Sequence, residues 1–134
     1  MEFTWLQRWQ PQLLAILRIV AGLLFLEHGT SKFFGFPVPF PMPGALPPMV
    51  LAAGAIELVA GILITLGLFT RLAAFIASGE MAVAYFIGHF PKGFWPVENM
   101  GDAAILYCFV FLYIAAAGPG AWSLDAWRRR GQPG

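Results

Sequence analysis

The sequence predicts an all-α fold, a transmembrane four-helix bundle, and three observations carry that expectation. Of its 134 residues, 59% are hydrophobic and only 11% charged, and the mean hydropathy is +0.72. A water-soluble domain of this length needs far more charge to cover its surface. The apolar residues also fall in long blocks close to the ~20 residues that a helix needs to cross hydrocarbon. The length allows one domain, 1–134.

The first span is expected at 11–34, interrupted by Arg18, Glu27, His28 and Lys32. The second, 47–68, opens on Pro47-Pro48, which suit a first helical turn where a missing N–H costs nothing. Glu57 is its one ionisable residue, and Gly67 is its expected C-cap. The break Gly67-Leu68-Phe69-Thr70 is short, with Thr70 as N-cap of the third span, so spans two and three are antiparallel neighbours. The third, 71–90, carries Glu80 and ends near His89; the fourth, 101–117, begins at Asp102 and is stopped by Gly118-Pro119-Gly120. Between them lie two loops rich in proline and aromatic residues, 34–48 and 90–100. Such segments form neither helix nor strand and belong at the membrane interface.

With an even number of spans, those two loops share one side. Arg8, Arg71, Arg128, Arg129 and Arg130 fall on the opposite side, against only Lys32 and Lys92 with the loops. The positive-inside rule then places both termini in the cytoplasm, and in a bacterium the loops in the periplasm, on the outer side of the plasma (inner) membrane. The segment before the first span lacks the form of a signal peptide. A net charge of +1 offers no field for nucleic acid, which is excluded as a partner. A single cysteine, Cys108, excludes an internal disulfide and a CxxC redox pair.

The ionisable residues at membrane depth are the informative ones. Arg18, Glu27, Glu57 and Glu80 would each cost at least about 2.5–3.5 kcal/mol at a helix centre, so all four are expected to turn inward and share one polar space. If the first helix is centred on Gly22, Arg18 lies about 6 Å toward the cytoplasm and Glu27 about 7.5 Å outward. Glu57 and Glu80 fall near the midplane, and His28, Lys32, His89 and Asp102 in the outer half. Around the first helix, Arg18, Gly22, Phe25, Gly29 and Lys32 form one stripe while Glu27 projects opposite, which predicts a central, surrounded helix. Gly54, Glu57 and Gly61 share a face of the second helix, and Ala73, Ala77, Glu80, Ala84 and Gly88 one of the third. Small residues around one carboxylate predict close helix contacts with a polar group sealed inside. Glu27, Glu57, Glu80 and Asp102 outnumber the cations Arg18 and Lys32, so at least one carboxyl is expected to keep its proton at neutral pH.

The pattern Arg18…Gly22…Phe25…Gly29…Lys32-Phe33…Gly35 resembles the DoxX family of small bacterial membrane proteins. So do Glu57…Gly61…Gly67…Thr70-Arg71, Gly101-Asp102 and Gly118-Pro119-Gly120…Ser123-Leu124-Asp125, so the likeness covers nearly the whole chain. The resemblance implies a four-helix membrane protein tied to redox work. Members of that family include a thiosulfate:quinone oxidoreductase subunit and part of a mycobacterial complex with superoxide dismutase and a sulfurtransferase; related eukaryotic proteins act as cargo receptors or assembly chaperones.

With that resemblance, Glu57, Glu80 and His28 are candidates for proton relay in quinol oxidation. Arg18, Glu27, Lys32, His89 and Asp102 are candidates for lining a pocket that takes quinone or another small apolar ligand. Arg18 reads either as an anchor for a carbonyl or anionic head group, or as a buried ion pair with Glu57 or Glu80 that fixes helix register. Phe33, Phe34, Phe36, Phe40, Phe94 and Trp95 frame the pocket mouth or form an ordinary interfacial belt. No metal or haem is expected: the chain has no Glu-x-x-His pair, and lone histidines commonly hydrogen-bond locally. It also encodes no thiol pair, dinucleotide fingerprint or cluster ligands, so redox work needs a quinone or a soluble or membrane redox partner. Arg128-Arg129-Arg130 reads as a topology signal touching anionic lipid, and self-association is compatible with the sequence. The rival expectation is a non-catalytic scaffold or assembly partner whose buried charges only hold helices together.

Overall fold

A computed structural model describes residues 2–131; Met1 and 132–134, the ends of the expected domain, lie outside them. A short α1 (Thr4–Gln7) leads into α2 (Gln10–Phe34), followed by α3 (Pro48–Leu66) and α4 (Thr70–Ala84). α4 continues through a π-helical turn, Tyr85–His89, and a 3-10 turn, Phe90–Lys92. α5 (Pro96–Asn99), α6 (Asp102–Ala117) and α7 (Leu124–Arg130) complete the described chain, which contains no strand. Three helical stretches are long and apolar enough to cross a membrane: Gln10–Phe34, Pro48–Leu66 and Thr70–Lys92. α6 is equally apolar but has 16 residues, because the chain leaves helical geometry at Gly118 with φ 90°.

The helix ends follow from glycine's freedom at positive φ. Gly35 (φ 66°) and Gly67 (φ 70°) close α2 and α3 in the left-handed conformation, and Leu68 N–H returns to Leu63 O at 2.9 Å. At the start of α4 the structure departs from expectation. Phe69, itself at φ 49°, is the N-cap without a capping side chain; Thr70 is the first helical residue, and an acceptor from elsewhere serves the free N–H groups.

Four helices, α2, α3, α4 and α6, form a ring in that order. α2 and α3 approach most intimately, through glycines: a Cβ at Gly61 would stand 2.9 Å from Leu26 Cα, and one at Gly29 would stand 2.8 Å from Leu58 N. α4 packs on α6, with Ser78 Oγ donating to Cys108 O at 2.7 Å. Phe25, Ile64, Phe111, Ile114 and the alanines 73, 74 and 77 fill the middle. Phe25 meets Phe111 edge-on at 5.0 Å between ring centres. α2 and α6 touch along the thinnest seam, so α2 is one wall of the ring and not the surrounded centre that its two polar faces predict.

The outward faces of these helices carry Leu17, Val20, Leu23, Val59, Phe75, Val83, Leu106 and Phe109, all exposed. Lipid demands such an exterior, since apolar side chains there have no reason to turn inward. The start of α2, the α3–α4 turn and the end of α6 gather at one end, as Ala121 N–H donating to Pro11 O at 3.0 Å shows. The two long loops lie at the other end. The chain is an integral membrane protein.

Candidate functional site

Three of the predicted site residues meet, one from each of α2, α3 and α4. Lys32 Nζ donates to Glu57 Oε1 at 2.7 Å, and their side chains are 8% and 3% exposed. Gly54, one turn before Glu57, makes this approach feasible: a Cβ there would press on the Phe33 ring at 2.8 Å and on Lys32 Cδ at 3.1 Å. The Lys32 ammonium also donates to His28 O at 3.4 Å and lies 4.7 Å from the centre of the Phe40 ring, contributed by the proline-rich loop. Across from this pair stands Glu80, beside Glu57 and in the field of Lys32. Both Glu80 carboxyl oxygens are shut off from the surface and reached by no N–H or hydroxyl group; the Glu80 carboxyl is hydrogen-bonded to that of Glu57, where the two can share a proton. Two carboxyl groups thus share one ammonium in an apolar surround. Such a cluster can hold and pass a proton, or bind a small group that offers hydrogen-bond donors.

Arg18 is fully buried and elsewhere. Its Nη1 donates to Pro119 O at 3.1 Å and its Nη2 to Trp122 O at 3.0 Å, so it pairs with neither Glu57 nor Glu80. The reason is level: in the antiparallel α2–α3 pair Arg18 lies beside Gly67, which has no Cβ to obstruct the guanidinium. It anchors the segment after α6 to the bundle. Asp125 completes this knot: Oδ1 accepts from Phe69 N–H at 2.9 Å, and Oδ2 from Thr70 N–H and Oγ1 at 2.9 and 2.7 Å. This carboxylate is the acceptor that α4 lacks locally, and Asp125 N–H in turn donates to Gly67 O at 2.8 Å. Burial alone would raise the Asp125 pKa. The hydrogen bonds from Thr70 and Phe69 and the charge of Arg128 outweigh it and hold the group below its ordinary value. Arg71 donates from Nη1 to the last carbonyls of α6, Ala115 O and Ala116 O. The motif residues of Gly67…Thr70-Arg71 and Gly118-Pro119-Gly120…Ser123-Leu124-Asp125 therefore knit one end of the molecule together.

The other predicted residues stay apart. Glu27 is exposed, opposite Arg18 as its spacing predicts but facing outward. His28 is exposed as well; its Nδ1 lies 2.7 Å from Leu24 O, and its ring meets Tyr107 edge-on at 6.0 Å. His89 Nδ1 pairs with Asn99 O at 3.0 Å, within the loop it begins. Asp102 is exposed in the first turn of α6, where the helix dipole favours a carboxylate. The single polar space expected for Arg18 and the three glutamates is thus divided, and Glu57 and Glu80 share theirs with Lys32 alone. Of the six aromatic residues expected at a pocket mouth, Phe40 covers the cluster, whereas Phe33, Phe34, Phe36, Phe94 and Trp95 are exposed. Among the described residues no three His, Cys, Asp or Glu side chains converge as metal ligands.

Asn99 is a functional-end residue that sequence reading missed. It is fully buried, donates to Tyr85 Oη at 3.1 Å and Gly93 O at 2.9 Å, and accepts from Gly101 N–H at 2.8 Å. One amide thereby fixes the whole 90–100 loop. The only sequence signal was a polar residue between Pro96 and Gly101, where a turn needs an internal partner.

Comparison with known proteins agrees on the family. A family model described as DoxX matches residues 13–90. The chain is 50% identical over 125 residues to an uncharacterised protein of Haemophilus influenzae, covering 90% of this chain and 93% of that one. It is 33% identical to the inner membrane protein YphA of Escherichia coli, over 87% of this chain and 90% of the relative. It is 30% identical, over 87% of each chain, to CatD of Bacillus subtilis, whose name proposes an oxidoreductase. No solved structure matches the chain.

Proposed function

This chain belongs to the DoxX family of membrane proteins, and from that premise we propose that it is a membrane subunit of a redox system, binding quinone or another small apolar ligand at Lys32, Glu57 and Glu80. It would cross the bacterial plasma membrane four times with both ends in the cytoplasm. α6 supports a fourth crossing: its 16 residues extend ~24 Å, and a span shorter than the hydrocarbon is accommodated by local thinning. Arg8, Arg71 and Arg128 to Arg130 at the end opposite the loops support the orientation.

One observation carries the site: the carboxyl groups of Glu57 and Glu80 meet in a buried cluster with one ammonium, Lys32, and no N–H or hydroxyl of the protein reaches the Glu80 oxygens. A carboxyl hydrogen-bonded only to a second carboxyl keeps acceptor positions open, and a hydroxyl group of the ligand can fill them. These residues fit a quinone in both redox states, since Lys32 donates to a carbonyl oxygen and Glu80 accepts from a hydroxyl. A bound quinone would supply the two-electron, two-proton chemistry that the chain's own side chains lack. Of the two protons that a quinol gives up, Glu80 would take the first from a ligand hydroxyl and hand it to Glu57, held by Lys32, and would then be free to take the second. Electrons would pass to a soluble or membrane redox partner. The name of CatD supports a redox setting for the family. His28 is left out of this relay, because its backbone carbonyl and not its ring meets Lys32.

The rival reading is a non-catalytic scaffold, and Arg18 favours it, since this buried charge bonds only backbone carbonyls of the segment after α6. The Lys32–Glu57 pair would then merely fix the α2–α3 register. Quinone extraction from protein purified in its native lipid separates the two. The proposal expects quinone to accompany the wild type and to be lost from a folded Glu80→Gln variant. A quinone-free wild type that binds no added short-chain quinone would leave the scaffold standing.

A further inference from the structure

The end of the molecule opposite the Lys32 cluster holds a cavity of about 340 Å³ lined in part by Phe69, Arg71, Leu72, Asp125, Arg128 and Arg129. Three guanidinium groups there face one carboxylate. Asp125 offsets only one of these charges, through the field it shares with Arg128, and its two oxygens are occupied by Phe69 N–H, Thr70 N–H and Thr70 Oγ1. Among the described residues, no ion pair within 4.0 Å joins Asp125 to any of the three arginines. Arg71 is held in place by its bonds to Ala115 O and Ala116 O, and Arg128 is stacked 5.0 Å from the centre of the Phe69 ring. The basin is therefore built and net positive, and it suits a group with several anionic oxygens, which guanidinium forks bind best.

Its walls identify the source of that group. Phe69 and Leu72 are exposed apolar side chains on the rim, and Trp122 and Trp127 are exposed beside it. The basin sits where the crossing helices α4 and α6 end, at the level where aromatic rings meet head groups. A free anion gains nothing from an apolar wall, whereas a phospholipid lays its chains along one. We propose that this basin is a site for the phosphate of an anionic phospholipid from the adjacent leaflet, gripped by Arg71, Arg128 and Arg129. α7, latched through Asp125, forms one wall of the basin, so head-group binding adds to the hold of the carboxy-terminal segment on the bundle.

A matched pair of variants tests this. Arg129 lines the basin, whereas Arg130 lines a separate cavity with Trp127, Arg128 and Gly131, yet each contributes one charge to the same run. The full chain is placed in nanodiscs of zwitterionic phosphatidylcholine and titrated with phosphatidylglycerol, with retention read by native mass spectrometry and hydrogen exchange at Phe69 and Thr70. Arg129→Gln should weaken retention about five-fold, the effect of one arginine near an anionic head group, while Arg130→Gln changes it less than two-fold. Exchange at Thr70 should slow on titration in the wild type and in the Arg130 variant only. Equal losses in the two variants would reduce the site to diffuse charge and overturn the proposal. Equal protection by inorganic phosphate would overturn it in favour of a free anion. Unchanged unfolding of both variants in pure phosphatidylcholine shows that neither result reflects misfolding.

Discussion

The three charged residues at the cluster should respond to substitution in opposite directions. Lys32 and Glu57 are 2.7 Å apart and nearly sealed. At an effective dielectric constant of ~20, their attraction is about 6 kcal/mol before desolvation is subtracted. Removing one partner leaves a buried charge without compensation, so Lys32→Met should destabilise the protein by ~3–5 kcal/mol. Lys32 is also the one cation beside Glu80, so its loss strands two carboxyl groups together. Glu80→Gln should behave differently. Glu80 meets only the Glu57 carboxyl, so the two must share a proton, whereas glutamine brings an amide N–H₂ that donates to Glu57 without one. Stability should therefore stay level or rise by about 1 kcal/mol. Reversible unfolding in mixed micelles of lipid and sodium dodecyl sulfate measures both. A double-mutant cycle with Lys32→Met and Glu57→Gln should show a coupling above ~1 kcal/mol, because each single change already removes the pair. Additive single effects, or a Glu80→Gln variant as unstable as Lys32→Met, would refute the arrangement of charge described above.

Gly29→Ala should cost ~1–3 kcal/mol in the same assay, because the new methyl would stand 2.8 Å from Leu58 N and 3.0 Å from Gly54 O, both backbone atoms. Met100 is exposed at φ 64°, so Met100→Gly should raise the thermal midpoint by relieving about 1 kcal/mol of left-handed strain. The Asp125 latch should fail in acid. Its folded pKa lies below its unfolded value of ~3.9, so its contribution is complete above that value and disappears as pH falls through the lower folded one. Amide exchange at Phe69 and Thr70 should accelerate over that acid range, and in Asp125→Asn it should be fast at neutral pH as well.

Much of the fold was legible because lipid imposes simple demands. Apolar blocks placed the helices to within a residue or two, and Gly35 and Gly67 marked ends that only glycine makes cheaply. The face of Gly54, Glu57 and Gly61 announced a close helix contact without naming its partner, which proves to be α2 through Lys32, Phe33 and Leu26. The site was harder. Helical angle places a side chain about its own axis but does not name the neighbour, so the charge of Arg18 suggested Glu57 or Glu80. Its actual partners are carbonyls of Pro119 and Trp122, which satisfy a guanidinium as well as a carboxylate does and leave no mark in sequence. Helical spacing puts Lys32 on the same stripe as Arg18 and among the pocket-lining residues but does not name its partner; its flexible stem runs over Gly54 to Glu57. The seven residues of α7 carry no apolar period to announce a helix; Ser123 Oγ, accepting from Ala126 N–H at 3.0 Å, is its one local signal.

Infrared difference spectroscopy of the carboxyl region tests the central claim most directly, on protein in nanodiscs with and without a short-chain quinol. Quinol should perturb a carboxyl band in the wild type, and this band should be missing from Glu80→Gln while the helical amide bands of the two proteins coincide. A difference spectrum identical in both proteins would contradict it.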